Sequence, residues 1–165
     1  MDSLDSIKIT ILGLESSGKT TMLYKLKLGE VVNTIPTTGF NTEIVEINNT
    51  KIALWEVGGA SKLISLWKHF ITDTKAIIWM VDSSDDSNRL LLSKDTLLDF
   101  IDNNDIASLP ILILPSKMDT DTCKTTSEIR NLFDEDLKKK NVKNVNYFPS
   151  SNVKEGIIWI LSVIQ

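Results

Sequence analysis

One eight-residue segment constrains this chain more than any other. Residues 13–20 read GLESSGKT, which matches the pattern G-x-x-x-x-G-K-[ST]. An apolar, β-branched run, Ile7–Leu14, leads into the octet, and Ser17–Leu28 carries apolar residues at helical spacing. A strand, a glycine-rich turn and a helix are therefore predicted in that order. A glycine turn that merely caps a helix is the plainer alternative.

The residue types in this octet suit phosphate chemistry. Glycines let the backbone approach phosphate oxygens, and consecutive amides at the start of a helix point towards an anion. Lys19 supplies a cation, and the Thr20 hydroxyl can ligate magnesium. The octet therefore predicts that the chain binds a nucleoside diphosphate or triphosphate.

The rest of the chain alternates strand-length apolar runs with helical segments, which is typical of an α/β fold. Phe40–Ile47 and Lys51–Val57 flank the turn-like triplet at 48–50 and predict an antiparallel hairpin. Ala76–Val81 and Pro110–Leu114 are continuously apolar, as central strands are. Further helices are predicted at Arg89–Ile101, Thr126–Leu137 and Lys154–Ile164.

Composition limits the other function classes. A chain of 165 residues with 42% hydrophobic content predicts one domain over residues 1–165. The net charge of -4 gives no electrostatic basis for binding nucleic acid. Cys123 is the only cysteine, which favours a reducing compartment. No apolar run approaches the roughly 18 residues of a membrane span, and Met1–Ser6 lacks the features of a signal peptide, so we expect a cytoplasmic protein.

Two classes of phosphate-binding protein compete. An ATP phosphotransferase gathers several arginines around the migrating phosphoryl group, but this chain has only Arg89 and Arg130, neither beside another motif in the sequence. A guanine-nucleotide switch needs a threonine for magnesium, an acidic-x-x-Gly turn and a base-reading loop. Thr37, residues 56–59 and residues 116–119 supply these in order. The switch is the favoured interpretation.

Residues 13–40, GLESSGKTTMLYKLKLGEVVNTIPTTGF, resemble the Arf and Arf-like branch of the Ras-type small GTPases. The likeness continues through LWEVGG at 54–59, LWKHF at 66–70 and VDS at 81–83, and is looser thereafter. It implies the small G protein form of the P-loop NTPase fold, a mostly parallel six-stranded sheet with one antiparallel strand and helices on both faces. The implied cofactors are GTP or GDP and Mg2+.

The resemblance also implies roles for individual residues. Those that hold the phosphates are Ser16, Ser17, Gly18, Lys19, Thr20 and Thr21, with the amide of Gly59 on the γ-phosphate. Those that hold magnesium are Thr20, Thr37 and, through water, Glu56. Those near the guanine base are Ser116, Lys117 and Asp119, with Ser150 and Ser151 as a second base loop. Asp119 would accept hydrogen bonds from the base, and the Lys117 stem would pack on the ring.

Three aromatic residues, Phe40, Trp55 and Phe70, match a cluster that Arf-like proteins use for effectors. The alternative is that they are half-buried packing residues of the hairpin and the segment after it. His69 beside them is interpreted as a solvent-facing or internally satisfied imidazole, not a catalytic one. The expected partners of this monomeric chain are effector proteins and an exchange factor, with membrane contact only through such partners.

The chain departs from the family pattern at four positions. Ala60 stands where the family has the glutamine that orients the attacking water, so no residue is assigned as catalytic; Ser61 is a weak substitute, and very slow GTP hydrolysis is predicted. Glu56 replaces an aspartate and Ser116 an asparagine, which predicts weaker metal and guanine binding. Asp2 stands where Arf proteins carry a myristoylated glycine, so no N-myristoyl anchor is expected.

Two functions therefore remain open from the sequence, with the ATP phosphotransferase a disfavoured third that competition between GTP and ATP would test. The favoured one is an Arf-like switch for intracellular signalling or vesicle trafficking, which recruits effectors when GTP is bound. The alternative is a pseudo-GTPase, a fixed interaction scaffold that binds its partners regardless of nucleotide. Partner binding that depends on the nucleotide separates the two.

Overall fold

The computed structural model describes residues 6–28 and 39–164. Its six strands are β1 (Ile7–Gly13), β2 (Phe40–Ile47), β3 (Thr50–Val57), β4 (Ala76–Asp82), β5 (Ile111–Ser116) and β6 (Val145–Tyr147). They form one sheet in the order β2-β3-β1-β4-β5-β6, in which only β2 runs antiparallel to its neighbour. The predicted mostly parallel sheet with one antiparallel strand is confirmed.

The β2–β3 hairpin closes through two residues with positive φ. Asn48 and Asn49 have φ of 51° and 62°, and β3 resumes at Thr50. Asparagine tolerates this left-handed conformation, and paired positive φ values match the right-handed twist of the two strands. The ladder pairs Asn41 with Glu56 and Phe40 with Val57 near the open end of the hairpin.

Helices cover both faces of the sheet, as predicted. They are α1 (Lys19–Leu28), α2 (Ser87–Asn104), α3 (Thr126–Lys139) and α4 (Val153–Val163). One core packs α2 and α3 against the sheet around Trp79 and Phe133, and the other packs α1 and α4 around Ile11 and Ile157. None of the helices in the described parts of the chain is long and apolar enough to cross a membrane.

The sequence analysis did not predict three short elements. Ser61–Phe70 forms a 3-10 helix with Trp67 fully buried, and Val145–Tyr147 is a three-residue edge strand too short to give a pattern. Ser150–Asn152 is a single 3-10 turn directly before α4. The other differences are small and local. The predicted helix from Ser17 begins only at Lys19, because Ser16 and Gly18 have φ of 63° and 96°, outside the helical region.

Candidate functional site

The octet lies where neighbouring strands end at one edge of the sheet. β1 ends at Gly13, β4 at Asp82 and β5 at Ser116, and these three strands are adjacent. In open α/β sheets, ligands bind outside the carboxyl ends of the strands. Residues far apart in sequence therefore meet around residues 13–20.

Four successive carbonyl groups of the octet each accept a hydrogen bond from a different side chain. The pairs are Lys19 to Leu14 (2.8 Å), Arg89 to Glu15 (2.9 Å), Lys117 to Ser16 (2.5 Å) and Ser116 to Ser17 (2.6 Å). Because the C=O and N–H of a trans peptide point in opposite directions, each bond also orients the amide of the next residue away from the donor. Three of the four donors are cations, so the loop is both held in shape and positively charged.

Lys19 is buried beneath this loop, with 5% of its surface exposed. Its Nζ also donates to the carbonyl of Gly13 at 2.9 Å. Burial lowers the pKa of the ammonium to about 8, against the opposing influence of Glu56 and Glu15. A phosphate group brought to the loop would favour the charged form of this lysine.

Glu56 connects the octet to the hairpin. Its carboxylate is 1% exposed, accepts a hydrogen bond from the Thr20 hydroxyl on one oxygen and accepts one from Asn41 Nδ2, at 2.8 Å, on the other. Hydroxyl and carboxylate oxygens are the hard donors that Mg2+ prefers, and Mg2+ takes few protein ligands because water and substrate phosphates fill the rest. Thr20 and Glu56 therefore fit a magnesium site, whereas Thr37 lies outside the described residues.

Within the described ranges, no group of three or more His, Cys, Asp or Glu side chains is arranged to hold a metal ion. A metal enclosed by protein carboxylates alone therefore has no site among those residues. A magnesium ion that shares its ligands with a bound phosphate needs no such group.

A cleft of about 680 Å³ opens beside the octet. It brings together Gly18 and Thr21 with every residue predicted to contact the base, namely Ser116, Lys117, Asp119, Ser150 and Ser151. Met22, Leu26, Pro149 and Val153 give it an apolar lining, and Lys25, Met118 and Lys154 complete the wall. An apolar slot with a few convergent polar groups suits a planar ring.

Lys117 and Ser116 join the base loop to the octet. Lys117 Nζ lies 2.8 Å from Asp82 Oδ2 in addition to its bond to Ser16. Burial alone would raise the pKa of Asp82, but hydrogen bonds from Lys117 and Ser84 outweigh it and hold the pKa below its usual value. Ser116 Oγ has a second acceptor in Val81 O at 3.2 Å, yet one hydroxyl proton can serve only one acceptor at a time.

The segment after β3 lies against the octet. Gly59 O accepts a hydrogen bond from Glu15 N at 3.1 Å, and a Cβ at Gly59 would lie 2.3 Å from Gly13 O, so only glycine fits. The buried indole of Trp67 donates to Gly58 O at 2.9 Å and anchors this turn. Ala60 follows with a methyl group, and Ser61 and His69 are exposed.

The three predicted effector residues form one contiguous cluster. Phe40 is 50% exposed, and its ring stacks on Trp55 with centroids 5.4 Å apart and meets Phe70 at 5.3 Å. Trp55 and Phe70 are half-buried, and Lys8 Nζ lies 4.6 Å from the centroid of Trp55. The cluster thus combines packing with an exposed aromatic face.

Sequence reasoning missed three residues of this arrangement. Arg89 was set aside because no motif adjoins it in sequence, but it contacts Glu15, which is 74 positions away. The role of Asn41 is visible only from the hairpin register, which places it opposite Glu56. The role of Asp82 is visible only from the pairing of β4 with β5, which places it beside Ser116. Lys138, Lys139 and Lys140, around the C-terminal end of α3, each form an ion pair with a nearby carboxylate and do not line the cleft.

Known proteins resemble this chain along nearly its whole length. The model of the ADP-ribosylation factor family matches residues 2–164. ADP-ribosylation factor-like protein 1 of Drosophila melanogaster is 37% identical over an alignment of 166 positions that covers 96% of this chain and 89% of the relative. ADP-ribosylation factor J of Dictyostelium discoideum is 36% identical over 161 residues, which cover 96% of this chain and 85% of the relative.

Solved structures agree with the sequence relatives. The Arl6 BBS3 small GTPase from Trypanosoma brucei, solved with the bound nucleotide analogue GppNp, superposes with a TM-score of 0.81 at 26% identity, covering 96% of this chain and 97% of that one. The mammalian SRP receptor structure, at 17% identity and a TM-score of 0.83 over 93% of this chain and 99% of that one, shares the fold alone. With the octet, the sheet order and these relatives in agreement, the chain belongs to the ADP-ribosylation factor family of small, guanine-nucleotide-binding GTPases.

Proposed function

We propose that this chain is a switch that binds GTP or GDP with Mg2+ and recruits effector proteins in its GTP form, while hydrolysing GTP very slowly. The observation that carries the proposal is the set of four octet carbonyls held by Lys19, Arg89, Lys117 and Ser116. The amides of Glu15 and Ser17 already donate to Gly59 O and Leu14 O. The loop presents its other amides, such as that of Ser16, and its positive charge to an anion before the anion arrives.

The phosphates occupy the concave side of the octet. The backbone of residues 16–21 donates to phosphate oxygens, and the Lys19 ammonium neutralises part of their charge. Thr20 and, through water, Glu56 would hold magnesium together with Thr37, and a bound magnesium ion would neutralise part of the phosphate charge. Gly59 carries the amide that meets the γ-phosphate, at a position where a side chain would collide with Gly13.

The base occupies the cleft. Asp119 accepts from N1–H and the exocyclic amine of guanine, a donor pair that adenine lacks. Ser150 and Ser151 line the same cleft and form the second loop that contacts the base. Ser116 acts indirectly, because its hydroxyl fixes the Ser17 carbonyl and so the entrance to α1.

Hydrolysis is the impaired step. The reaction depends on a side chain that orients water towards the γ-phosphate, and the Ala60 methyl can neither donate nor accept a hydrogen bond. Ser61 is exposed and does not replace it. We therefore infer a long-lived GTP form. An activating protein that works through the glutamine would accelerate its hydrolysis only weakly.

The proposed effector-binding surface is the cluster of Phe40, Trp55 and Phe70. It lies on the hairpin and the end of the 3-10 helix, which are joined to the octet through Glu56 and Gly59. A monomeric cytoplasmic protein with effectors and an exchange factor as partners, and with membrane contact only through them, fits this surface. Intracellular signalling or vesicle trafficking is the proposed setting.

Competition binding to the purified chain tests the nucleotide. We expect GTP and GDP, but not ATP, to displace a fluorescent GDP analogue in the presence of Mg2+. Asp119→Ala removes the discrimination between GTP and ATP, while the matched control Asp121→Ala, at an exposed position in the same loop, keeps it. Equal displacement by ATP and GTP would contradict the choice of guanine.

Hydrogen–deuterium exchange tests the switch. The hairpin and residues 61–70 should change their protection between the GDP form and a form loaded with a non-hydrolysable GTP analogue, since Gly59 joins this region to the octet. Equal protection with GDP, with the analogue and without nucleotide would establish the pseudo-GTPase scaffold instead.

A further inference from the structure

Arg89 contacts the proposed phosphate loop from outside every recognised motif. Its Nη2 donates to Glu15 O at 2.9 Å. The sequence contains one other arginine, Arg130, whose guanidinium lies 5.1 Å from the ring centroid of Tyr147 in a different part of the fold. Neither arginine adjoins a motif in the sequence, but Arg89 contacts the phosphate loop in the fold.

The guanidinium is presented by a fixed helix start. Arg89 N donates to the Asp86 side chain, which caps α2, at 2.8 Å. Arg89 Nε lies 3.5 Å from Asp85 Oδ2, and the next residue, Leu90, is buried in the core. The backbone and one edge of the guanidinium are thus held by α2, which leaves Nη2 directed at the loop.

The geometry of the peptide unit gives this contact a consequence for ligand binding. Glu15 C=O and Ser16 N–H belong to one planar trans peptide and point in opposite directions. The bond from Arg89 therefore turns the Ser16 amide away from α2. The neighbouring peptides have other donors, since Lys19 bonds to Leu14 O and Lys117 to Ser16 O.

We propose that Arg89 is a positioning residue for the bound nucleotide, which orients the Ser16 amide towards the phosphates and adds a third cation beside Lys19 and Lys117. This inference rests on the proposed function. It predicts that Arg89 acts on ligands that carry phosphate and has no effect on recognition of the base.

The test is the release of a fluorescent GDP analogue from the Mg2+-loaded protein. Arg89→Ala should release it about tenfold faster, the loss expected for one charge-assisted hydrogen bond. Arg89→Lys should restore part of the retention, because an ammonium can donate to the same carbonyl. Arg130→Ala, the matched control, should release the analogue at the wild-type rate.

Guanosine separates positioning from a general effect on the fold. It lacks phosphate, so its weak competition with the fluorescent analogue should be unchanged in Arg89→Ala once the affinity for the analogue is taken into account. If Arg89→Ala does not fold, as judged by its melting temperature without nucleotide, then Arg89→Lys against Arg89→Gln decides, with slower release expected from the lysine variant.

The possible failures are distinct. A wild-type chain that binds no GDP would refute the proposed function itself. Wild-type binding with unchanged release from Arg89→Ala, or an equal loss for guanosine and GDP, would overturn the role of Arg89 alone.

Discussion

The two sides of the proposed nucleotide site are held together in different ways. On the loop side, which comprises residues 13–20 and the base cleft, side chains from α1, α2 and β5 and from the residue after β5 bond directly to the octet. On the switch side, which comprises residues 56–70, the Glu56 carboxylate and the Gly59 carbonyl accept hydrogen bonds from the octet, and the indole of Trp67 fixes the turn at Gly58 from within. In the described parts of the chain, side chains from several elements hold the loop side, whereas Glu56 and Gly59 join the switch side to it.

This difference separates binding from hydrolysis. On the loop side, Ser116 bonds to the Ser17 carbonyl, and Lys19, Arg89 and Lys117 hold the neighbouring carbonyls. On the switch side, no described contact replaces the orienting side chain that Ala60 lacks. A chain of this kind is expected to bind nucleotide, with the lowered affinity that Glu56 and Ser116 predict, and to turn it over slowly.

The largest effect is expected at Lys19, where the two sides meet. Lys19→Ala removes a buried cation that bonds to Gly13 and Leu14 and lies near Glu56. We expect the affinity for GDP to fall about 100-fold or more in titrations with a fluorescent analogue. Lys139→Ala, on the surface of α3, is the control, and an equal loss in both variants would argue against a phosphate site.

The switch side is tested by restoring its missing group. Ala60→Gln should raise the single-turnover rate of GTP hydrolysis about tenfold or more, because the amide can orient water. Ala60 has φ of -60° and ψ of 142°, a conformation open to any residue, so the substitution introduces no backbone strain. Leucine is similar in size to glutamine but has no amide, so Ala60→Leu should leave the hydrolysis rate low. An equal rate increase in Ala60→Gln and Ala60→Leu would refute the role of water orientation.

A middle-sized effect is expected at the Asp82–Lys117 pair on the loop side. Asp82→Asn should lower the free energy of unfolding at pH 7 by about 1–2 kcal/mol, somewhat less than a fully buried charged hydrogen bond contributes, because water screens the partly exposed Lys117. Because the fold lowers the pKa of Asp82, its contribution is present above the ordinary value of about 4 and is lost as the pH falls through the lowered value.

Urea unfolding of the wild type and Asp82→Asn at pH 7 and at pH 3 measures this contribution. The difference between the two proteins should shrink at the lower pH. A difference that stays constant would show that the carboxylate charge does not stabilise the base loop.

The smallest effect is expected at Ser116. Ser116→Asn supplies two N–H donors, which can serve Ser17 O and Val81 O together, so the affinity for GDP should rise about fivefold. Ser116→Ala should lower it by a similar factor. A drop in the asparagine variant would show that the buried site has no room for the larger side chain.

Most of the fold could be predicted from the sequence because its signals are local. Apolar runs indicate the central strands, the Asn48-Asn49 turn closes the hairpin, and helical spacing indicates α1 to α4. The 3-10 helix at 61–70 and the edge strand β6 were missed. The first is fixed by burial of Trp67, and the second by pairing with β5, and neither contact is visible in a local pattern.

The residues of the site show the same distinction between local signals and contacts made by distant segments. The octet and the base loop are contiguous motifs, so their residues could be named from the sequence alone. Arg89, Asn41 and Asp82 contact them only because the sheet brings distant segments to one edge. The expectation that Ser116 weakens guanine binding stays a prediction, now with a defined cause in its single hydroxyl proton.

The most direct test follows the wild-type chain through one turnover. The protein is loaded with GTP in the presence of Mg2+, freed of excess nucleotide, and sampled over time by chromatography of the bound nucleotide. We predict that the bound GTP is converted to GDP only very slowly, about tenfold or more slower than in Ala60→Gln. Conversion at the Ala60→Gln rate, or a chain that binds no guanine nucleotide, would contradict the proposal that the loop side binds nucleotide while Ala60 leaves the switch side without a catalytic group.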